Sequence, residues 1–524
     1  MVEYECDVLV VGCGAAGLTS ALAALESGAS VIVLERSPIE HRGGNTRWTE
    51  ALLRLKGGVA PDFEISDDFV EGYAAQAGHH IAPAQIVESA QARETWSSIL
   101  RTLPYLDPEV LDAFASSVPS TLKWLEGHGI RFRTMDYPFI FPAPLIGIYG
   151  GGEALIETLA PIVECKGARI LYEMTAIRFL LDEDLGVAGV HAVHSEEGSI
   201  RVRAKKTVLA CGGFEGNPAM LAQYIGPTAR YSRPVATGGW YNKGEGIRLA
   251  LDIGAAPAGD FAECHRQPID PRSSASEALV GAYPFGIVVN AHGERFMDEA
   301  PADPLGFLED HCRRINRQPD GIGYFIYDAA IDDVPVWRRM IRSDQQPIQA
   351  NSIAELAIKV GLPAHALEAT VRTFNAACSQ SRDFAYRRDD SAALAAFEQG
   401  EPFDWTGVMD GLATEGLDPP KTNWARPLMK GPFACFPIIS SMTFTCGGLK
   451  TTKDGEVVRT SGALIPGLYA AGETMGIIYG NYIGATSVLR GVTFGRRAGL
   501  HAARAATKGK SRDAISTSVT PLAK

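Results

Sequence analysis

The sequence predicts an α/β fold whose nucleotide-binding part is drawn from widely separated stretches of chain. Three observations carry this. Cys6 to Val11 (CDVLVV) is a β-branched run of the kind that makes a buried parallel strand; it leads into Gly12-Cys13-Gly14-Ala15-Ala16-Gly17 and an Ala- and Leu-rich helix pattern from Leu18 to Glu26. Near residue 210, KTVLACGGFEGN (Lys206 to Asn217) reads as an apolar strand ending in the paired glycines Gly212 and Gly213. Toward the far end, Gly467-Leu468-Tyr469-Ala470-Ala471-Gly472-Glu473 repeats that design with an acid after the turn.

The first segment is a GxGxxG fingerprint in its required strand–turn–helix context. Gly12 makes the tight turn, Gly14 lets the backbone approach a pyrophosphate, and Gly17 allows close packing of helix on strand. The helix N-terminus then faces the anion. A second apolar run, Val31 to Leu34, ends at Glu35, 18 residues after Gly17, placed to accept hydrogen bonds from an adenosine ribose. Gly43-Gly44-Asn45-Thr46 follows this acid by eight residues, a glycine turn suited to the pyrophosphate and flavin. The three glycine-ended strands span more than 450 residues, whereas a nicotinamide enzyme usually completes its site within one continuous domain. The reading is therefore FAD on a Rossmann-type domain. A helix start between Gly484 and Gly495 can point backbone N–H groups at the flavin pyrimidine.

Composition bounds the alternatives. At roughly 150 residues per domain, 524 residues allow two to four units and a large core. A formal charge of -12 argues against nucleic acid as a partner. Nine cysteines without a Cys-x-x-Cys pair suit reduced thiols, with no metal site, iron–sulfur centre or haem attachment. Electrons must then leave through a separate redox protein, a quinone or oxygen. Met1 to Glu5 carry no basic leader, and Leu9 to Leu25 is broken by glycines. No stretch reaches the ~18 apolar residues of a membrane span, so the expectation is a cytoplasmic protein without a transmembrane segment.

The order GxGxxG, GGN(T), LACGGFEGN, IVVNAHGERFMDE (Ile287 to Glu299), GLYAAGE and TFGRRAG (Thr493 to Gly499) resembles the flavoprotein family of fumarate reductase and 3-ketosteroid dehydrogenase. GGNTRWT (Gly43 to Thr49), KTNWARP (Lys421 to Pro427) and MTFTCGGLK (Met442 to Lys450) are most similar to its tricarballylate dehydrogenase branch. The resemblance implies a glutathione-reductase-like FAD-binding domain made from residues 1–258 and 445–506. An α+β capping domain at 259–444 interrupts it, loop-heavy from about 379 to 431, and a frayed tail follows at 507–524. It also implies that Arg36, Ala176, Ser487 and Val488 join the cofactor set, with FAD held non-covalently; His41 is the only histidine close to the Gly43-Gly44 turn.

Desaturating a carbon pair needs a base, a group that stabilises enolate-like charge, and a hydride acceptor. Fumarate reductases grip a substrate carboxylate with an arginine in GANRLGGN, and here Tyr482 stands in its place. Their proton-donating arginine lies four residues after the acid of GxRFxNE, which falls on Asp303. Neither a phenol nor a carboxylate replaces a permanently charged fork, so the resemblance points away from fumarate reductase proper. Ketosteroid dehydrogenases carry a tyrosine at the first position. By that resemblance Tyr482 O–H and the Thr486 N–H form an enolate-stabilising pair. His265 sits where the family has a substrate-binding histidine, and Arg266 follows it. A second family histidine corresponds to Thr443 or Phe444. Asp303 is a candidate base or, between Pro301 and Pro304, a solvated loop acid; Tyr479 and Arg47 are candidates for the pocket wall.

These residues suggest an FAD-dependent dehydrogenase that oxidises a CH–CH bond beside a carboxylate or ketone. The first substrate class is a small polycarboxylate such as tricarballylate, which needs several cationic contacts from Arg47, Arg233, Arg266 and Arg272. The alternatives are desaturation of a cyclic ketone of the 3-ketosteroid or 4-oxocyclohexanecarboxylate type, which Tyr482 suits, and enoate reduction of the fumarate-reductase kind. A non-catalytic flavin-binding protein would leave the polar residues expected around the flavin without a purpose.

Overall fold

Val8, Leu9 and Val10 are wholly buried, and this run makes β1 (Val2–Val11) the centre of an eight-stranded sheet. The computed structural model describes residues 2–55, 63, 107–135, 145–196, 198–301, 307–334, 337–378, 411–480, 482 and 484–508. In the sheet β1 lies between β2 (Val31–Leu34) and β6 (Gly198–Leu209), with β3 (Arg169–Leu171) beyond β2. β13 (Leu464–Ala470) lies beyond β6 and carries β12 (Glu456–Val458) at the edge. The five strands from β13 to β3 are parallel, while β4 (Met174–Leu181) and β5 (Val187–His194) run off β6 as an antiparallel pair.

Register is what builds the site. Val11 pairs with Leu34 and with Leu209, and Leu209 pairs with Ala470. Four strands thus end at one level and deliver Gly12, Glu35, Ala210 and Ala471 to one edge, the carboxyl edge where open α/β sheets bind ligands. Gly12 holds φ +109°, a left-handed conformation, and a Cβ there would collide with the backbone of Ala210 and Cys211. β1 then feeds α1 (Ala15–Glu26). The last described helix, α5 (Ser487–Thr507), lies along α1; Gly495 and Gly499 bring its backbone against Ala16 and Ser20, and Ser20 Oγ donates to Gly495 O at 2.9 Å. Leu18, Leu22, Leu489, Val492 and Phe494 close the apolar seam between them.

A six-stranded second sheet is centred on β11 (Phe433–Thr445). β7 (Cys264–Ile269), β9 (Ile322–Tyr327) and β10 (Ile348–Ala350) pair with it antiparallel, and β8 (Ile287–Val289) pairs with β9. A two-residue strand at Arg233–Pro234 joins β11 in parallel, although it lies upstream of residue 259, where the sequence places the start of the cap. Helix α4 (Phe307–Asn316) packs across β7 and β11, while α2 (Gly151–Cys165) packs on α1 and α3 (Glu245–Asp252) on β4. β11 carries the second sheet to the first: its Thr445 N–H donates to Glu473 at 2.8 Å.

Residues 411–432 hold neither helix nor strand, as expected of a loop-heavy stretch, whereas 379–410 and the tail from 509 lie outside the described residues. Among the described residues no disulfide joins any two cysteines. Among the described residues no helix is long and apolar enough to cross a membrane, and no His/Cys/Asp/Glu cluster could hold a metal ion.

Candidate active site

Along the carboxyl edge of the first sheet runs a cleft of about 1280 Å³ measured to its open mouth. Its lining runs from Glu35 and Ala176 at one end to Phe444 and Arg490 at the other, which suits an extended ligand. Its floor is Gly12, Gly14, Ala15 and Ala16, and Gly43 to Thr46 form the facing wall. Helix α1 has no side-chain cap and no acid in its first turn; the Ala15 N–H reaches only Thr46 Oγ1, at 3.3 Å. Its remaining N-terminal donors are free for an anion. At one end Glu35 accepts from the N–H groups of Cys13 and Ser37, both at 2.8 Å, which leaves the other lone pairs of the carboxylate available. Beside it Arg36 is held by Glu245 at 2.5 Å and by the Tyr241 carbonyl at 3.1 Å, next to Ala176.

The other end holds buried charge. Glu473 accepts from the Thr445 N–H, and Gly213 is required there because a Cβ would strike the Glu473 carboxylate and the Thr445 hydroxyl. Glu215 accepts from Asn45 Nδ2 at 2.5 Å and from Asn242 Nδ2 at 2.6 Å. Burial, then the charge of Glu473, pushes the Glu215 carboxyl well above the usual range. Burial and the neighbouring carboxylate thus both favour the neutral form of Glu215. Burial also raises Glu473, opposed by the nearby Arg490 guanidinium. Arg490, in the first turn of α5, lies 5.4 Å over the Phe444 ring.

Phe444 links this end to an aromatic cluster. Its ring meets Tyr482 edge-on at 4.9 Å and His265 at 5.3 Å, while His265 and Tyr482 lie 4.6 Å apart. Tyr482 Oη accepts from the Thr486 N–H at 2.7 Å and the Ser487 N–H at 2.9 Å, so the phenol caps α5. His265 Nδ1 donates to the buried Glu309 at 2.5 Å.

A model of the FAD binding domain family matches residues 7–489. The chain belongs to the FAD binding domain family. It is similar to the NADH:fumarate oxidoreductase of Klebsiella pneumoniae, 27% identical over 95% of this chain, although it spans only 48% of that protein's length. It is 26% identical to the vinyl phenol reductase of Lactiplantibacillus plantarum, covering 95% of this chain and 96% of that one. Against the 3-oxosteroid 1-dehydrogenase of Mycobacterium tuberculosis it is 27% identical, covering 97% and 100%. The fold is that of an open flavocytochrome c3 fumarate reductase (TM-score 0.71, 22% identity, 96% of this chain and 79% of that one). It is shared with the 3-ketosteroid-Δ4-(5α)-dehydrogenase of Rhodococcus jostii (TM-score 0.60, 24% identity, 96% and 98%). The protein is an FAD-dependent oxidoreductase.

The cleft fits FAD by its own chemistry. Ser37 Oγ, Asn45 Oδ1, Thr443 Oγ1 and both Nε and Nη1 of Arg490 are buried without a hydrogen-bond partner, and all four residues line it. Buried polar atoms in such a state call for a ligand. Of the sequence-predicted cofactor residues, Gly12, Gly14, Ala15, Ala16, Glu35, Arg36, Gly43, Gly44, Asn45, Thr46, Ala176, Gly212, Gly472, Glu473, Ser487 and Val488 line the cleft. Gly17 and Gly213 do not; they serve close packing, Gly17 against the Gly12 carbonyl.

Among the substrate candidates the structure makes four corrections. The Thr486 N–H is not a second donor to substrate, because it is spent on Tyr482 Oη. Arg47 is turned onto α2, where it pairs with Glu157 at 2.5 Å and Glu153 at 2.8 Å. Tyr479 packs beside Gly259 and Asp260 and does not line the cleft; Tyr482 and His265 do not line it either but adjoin it through Phe444. Arg266 is buried behind His265 near Cys264 and Cys312, also off the cleft wall. Arg233 donates to the carbonyls of Asp270 and Ser273, and Arg272 pairs with Asp270 at 2.7 Å. Asp303 lies outside the described residues. Sequence reasoning missed Glu309, Glu215 and Arg490. Glu309 is distant in sequence from His265, and nothing in the spacing joins them. Arg490 had a signal, a lone cation in the apolar opening of a helix.

Proposed function

We propose that the protein transfers hydride across a CH–CH bond beside a carbonyl group, oxidising it in the forward direction, with a ketone as the activating group. When bound, FAD supplies the hydride acceptor at N5. The observation that carries the reading is the pair of N–H groups on Tyr482 Oη. With both lone pairs occupied, the phenol has only its O–H to offer, a donor suited to a carbonyl oxygen that gains charge as the neighbouring C–H proton leaves. His265 is the candidate for that proton. Glu309 holds Nδ1–H, which leaves the lone pair on Nε2 as the base. The reverse sequence, proton from His265 Nε2 and charge held at Tyr482, serves reduction.

Of the two substrate classes, the ketone is favoured because Arg47, Arg233 and Arg272 are engaged elsewhere and a tricarboxylate needs several free cations. The match along the whole length of a 3-oxosteroid 1-dehydrogenase supports it. Non-covalent FAD, residence in the cytoplasm and a separate electron acceptor complete the proposal.

The test is anaerobic bleaching of the FAD-loaded protein by 4-oxocyclohexanecarboxylate, a 3-ketosteroid and tricarballylate. A ketone is expected to bleach it. Tyr482→Phe should slow the reaction by about 10²–10³, and His265→Ala by about 10²–10⁴. Bleaching by tricarballylate alone would replace the ketone with a polycarboxylate. No bleaching by any of them, in protein that dithionite reduces, would remove all three substrates.

A further inference from the structure

Arg490 has no part in the reaction proposed above, yet its placement is costly. The residue is 2% exposed, and its Nε and Nη1 have no hydrogen-bond partner. It sits in the first turn of α5, where the helix N-terminus already carries positive partial charge, and no acid is present in that turn. Helical side chains tilt toward the N-terminus, so the guanidinium reaches back toward the end from which the backbone N–H groups emerge. Among the described residues it makes no ion pair. Glu473, whose carboxyl burial raises and the Arg490 charge lowers, spends Oε1 on the N–H and hydroxyl of Thr445. A buried cation with open donors on a cleft wall calls for an anion from outside the protein.

The cleft can receive two kinds of negative charge from FAD. The pyrophosphate is served by the Gly12–Ala16 loop and the uncapped start of α1. Arg490 instead stacks on Phe444, which touches Tyr482 and His265, so its charge lies at the end with the candidate catalytic side chains. The charge that appears there comes from reduction. A hydride brings two electrons and one proton to the neutral oxidised ring and leaves it with one net negative charge, while the proton from the neighbouring carbon goes to the base. We infer that Arg490 is the counter-cation for anionic reduced flavin and so sets how readily bound FAD is reduced. This rests on FAD binding alone; failure of the ketone reading leaves it untouched.

Sulfite provides a probe independent of turnover, because its addition to oxidised flavin places the same negative charge on the ring. Sulfite titration and the midpoint potential would be measured on FAD-loaded wild type, Arg490→Gln and Arg490→Lys. In Arg490→Gln, sulfite affinity is expected to fall tenfold or more, and the two-electron potential by about 30 mV for each tenfold. Arg490→Lys keeps the charge and should stay within about threefold of wild type. Wild-type values of both quantities in Arg490→Gln would overturn the assignment. If ketone or carboxylate binding alone weakened in that variant, Arg490 would belong to substrate, which also overturns it. Should Arg490→Gln fail to load FAD, Arg490→Lys decides: a tenfold loss of sulfite affinity rejects the assignment, and retention upholds it.

Discussion

Glu215 and Glu473 come from distant strand ends, and burial together with the charge of Glu473 raises the Glu215 carboxyl, an arrangement no local pattern announces. Its consequence can be tested by side-chain replacement. Glu215→Gln keeps a carbonyl for the amides of Asn45 and Asn242 and supplies a permanent donor to Glu473, so FAD content and melting temperature should hardly change. Glu215→Ala leaves those two amide donors unsatisfied and should cost about 1–3 kcal/mol, read as a lower denaturant midpoint. Equal stability of the two variants would show that the acceptor for Asn45 and Asn242 does not matter. At this scale the sequence was informative about glycines and about Glu35, because a turn and a ribose each demand one residue type at one spacing. It was uninformative about side-chain direction. Arg47, expected at the pocket wall, is drawn away by Glu153 and Glu157, spaced i,i+4 on α2.

Among the elements, the segment from Lys421 to Pro427 and the strand-end motif from Ile287 to Glu299 prove to be halves of one buried network. Glu299 accepts from the Val288 N–H at 2.9 Å and is gripped by Arg295, while Lys421 donates to the Pro284 carbonyl at 2.6 Å and lies 3.8 Å from Glu299. Both motifs were legible as family signatures. Their work is to hold the cap sheet together, which a motif cannot disclose. Lys421 is fully buried, and that burial pushes its amine down to about 8. The unfolded lysine keeps its ordinary 10.5, so between about pH 8 and 10.5 the unfolded chain binds the proton and the folded one does not. Folding stability then rises with pH across that window. Relative to Lys421→Met, the wild type should gain stability between pH 7.5 and 9.5, by at most ~1.4 kcal/mol per pH unit. A wild-type-minus-variant difference in melting temperature that stays flat over this range would contradict the burial argument.

For the molecule as a whole, the split nucleotide domain was legible because three strands end in the same glycine-and-acid design. The boundary of the second sheet was not, since Arg233–Pro234 is too short to show periodicity and joins β11 only through its register. The sheet order places β13 directly beside β6, and α5 covers α1. A fragment ending at residue 445 therefore exposes both the sheet edge and the apolar seam of α1. It should emerge aggregated and colourless from size exclusion, whereas a fragment ending at residue 508 should be yellow and monodisperse. The same topology has a consequence for the order of events in the cell. Arg490 leaves the ribosome roughly 25–95 s after Gly12 at ~5–20 residues per second. Through that interval the fingerprint loop lacks its covering helix α5, and β6 lacks its outer neighbour β13. The flavin cannot be gripped until the chain has been made through Arg490, so a chain starved of FAD at that point would meet chaperones assembled but unfastened.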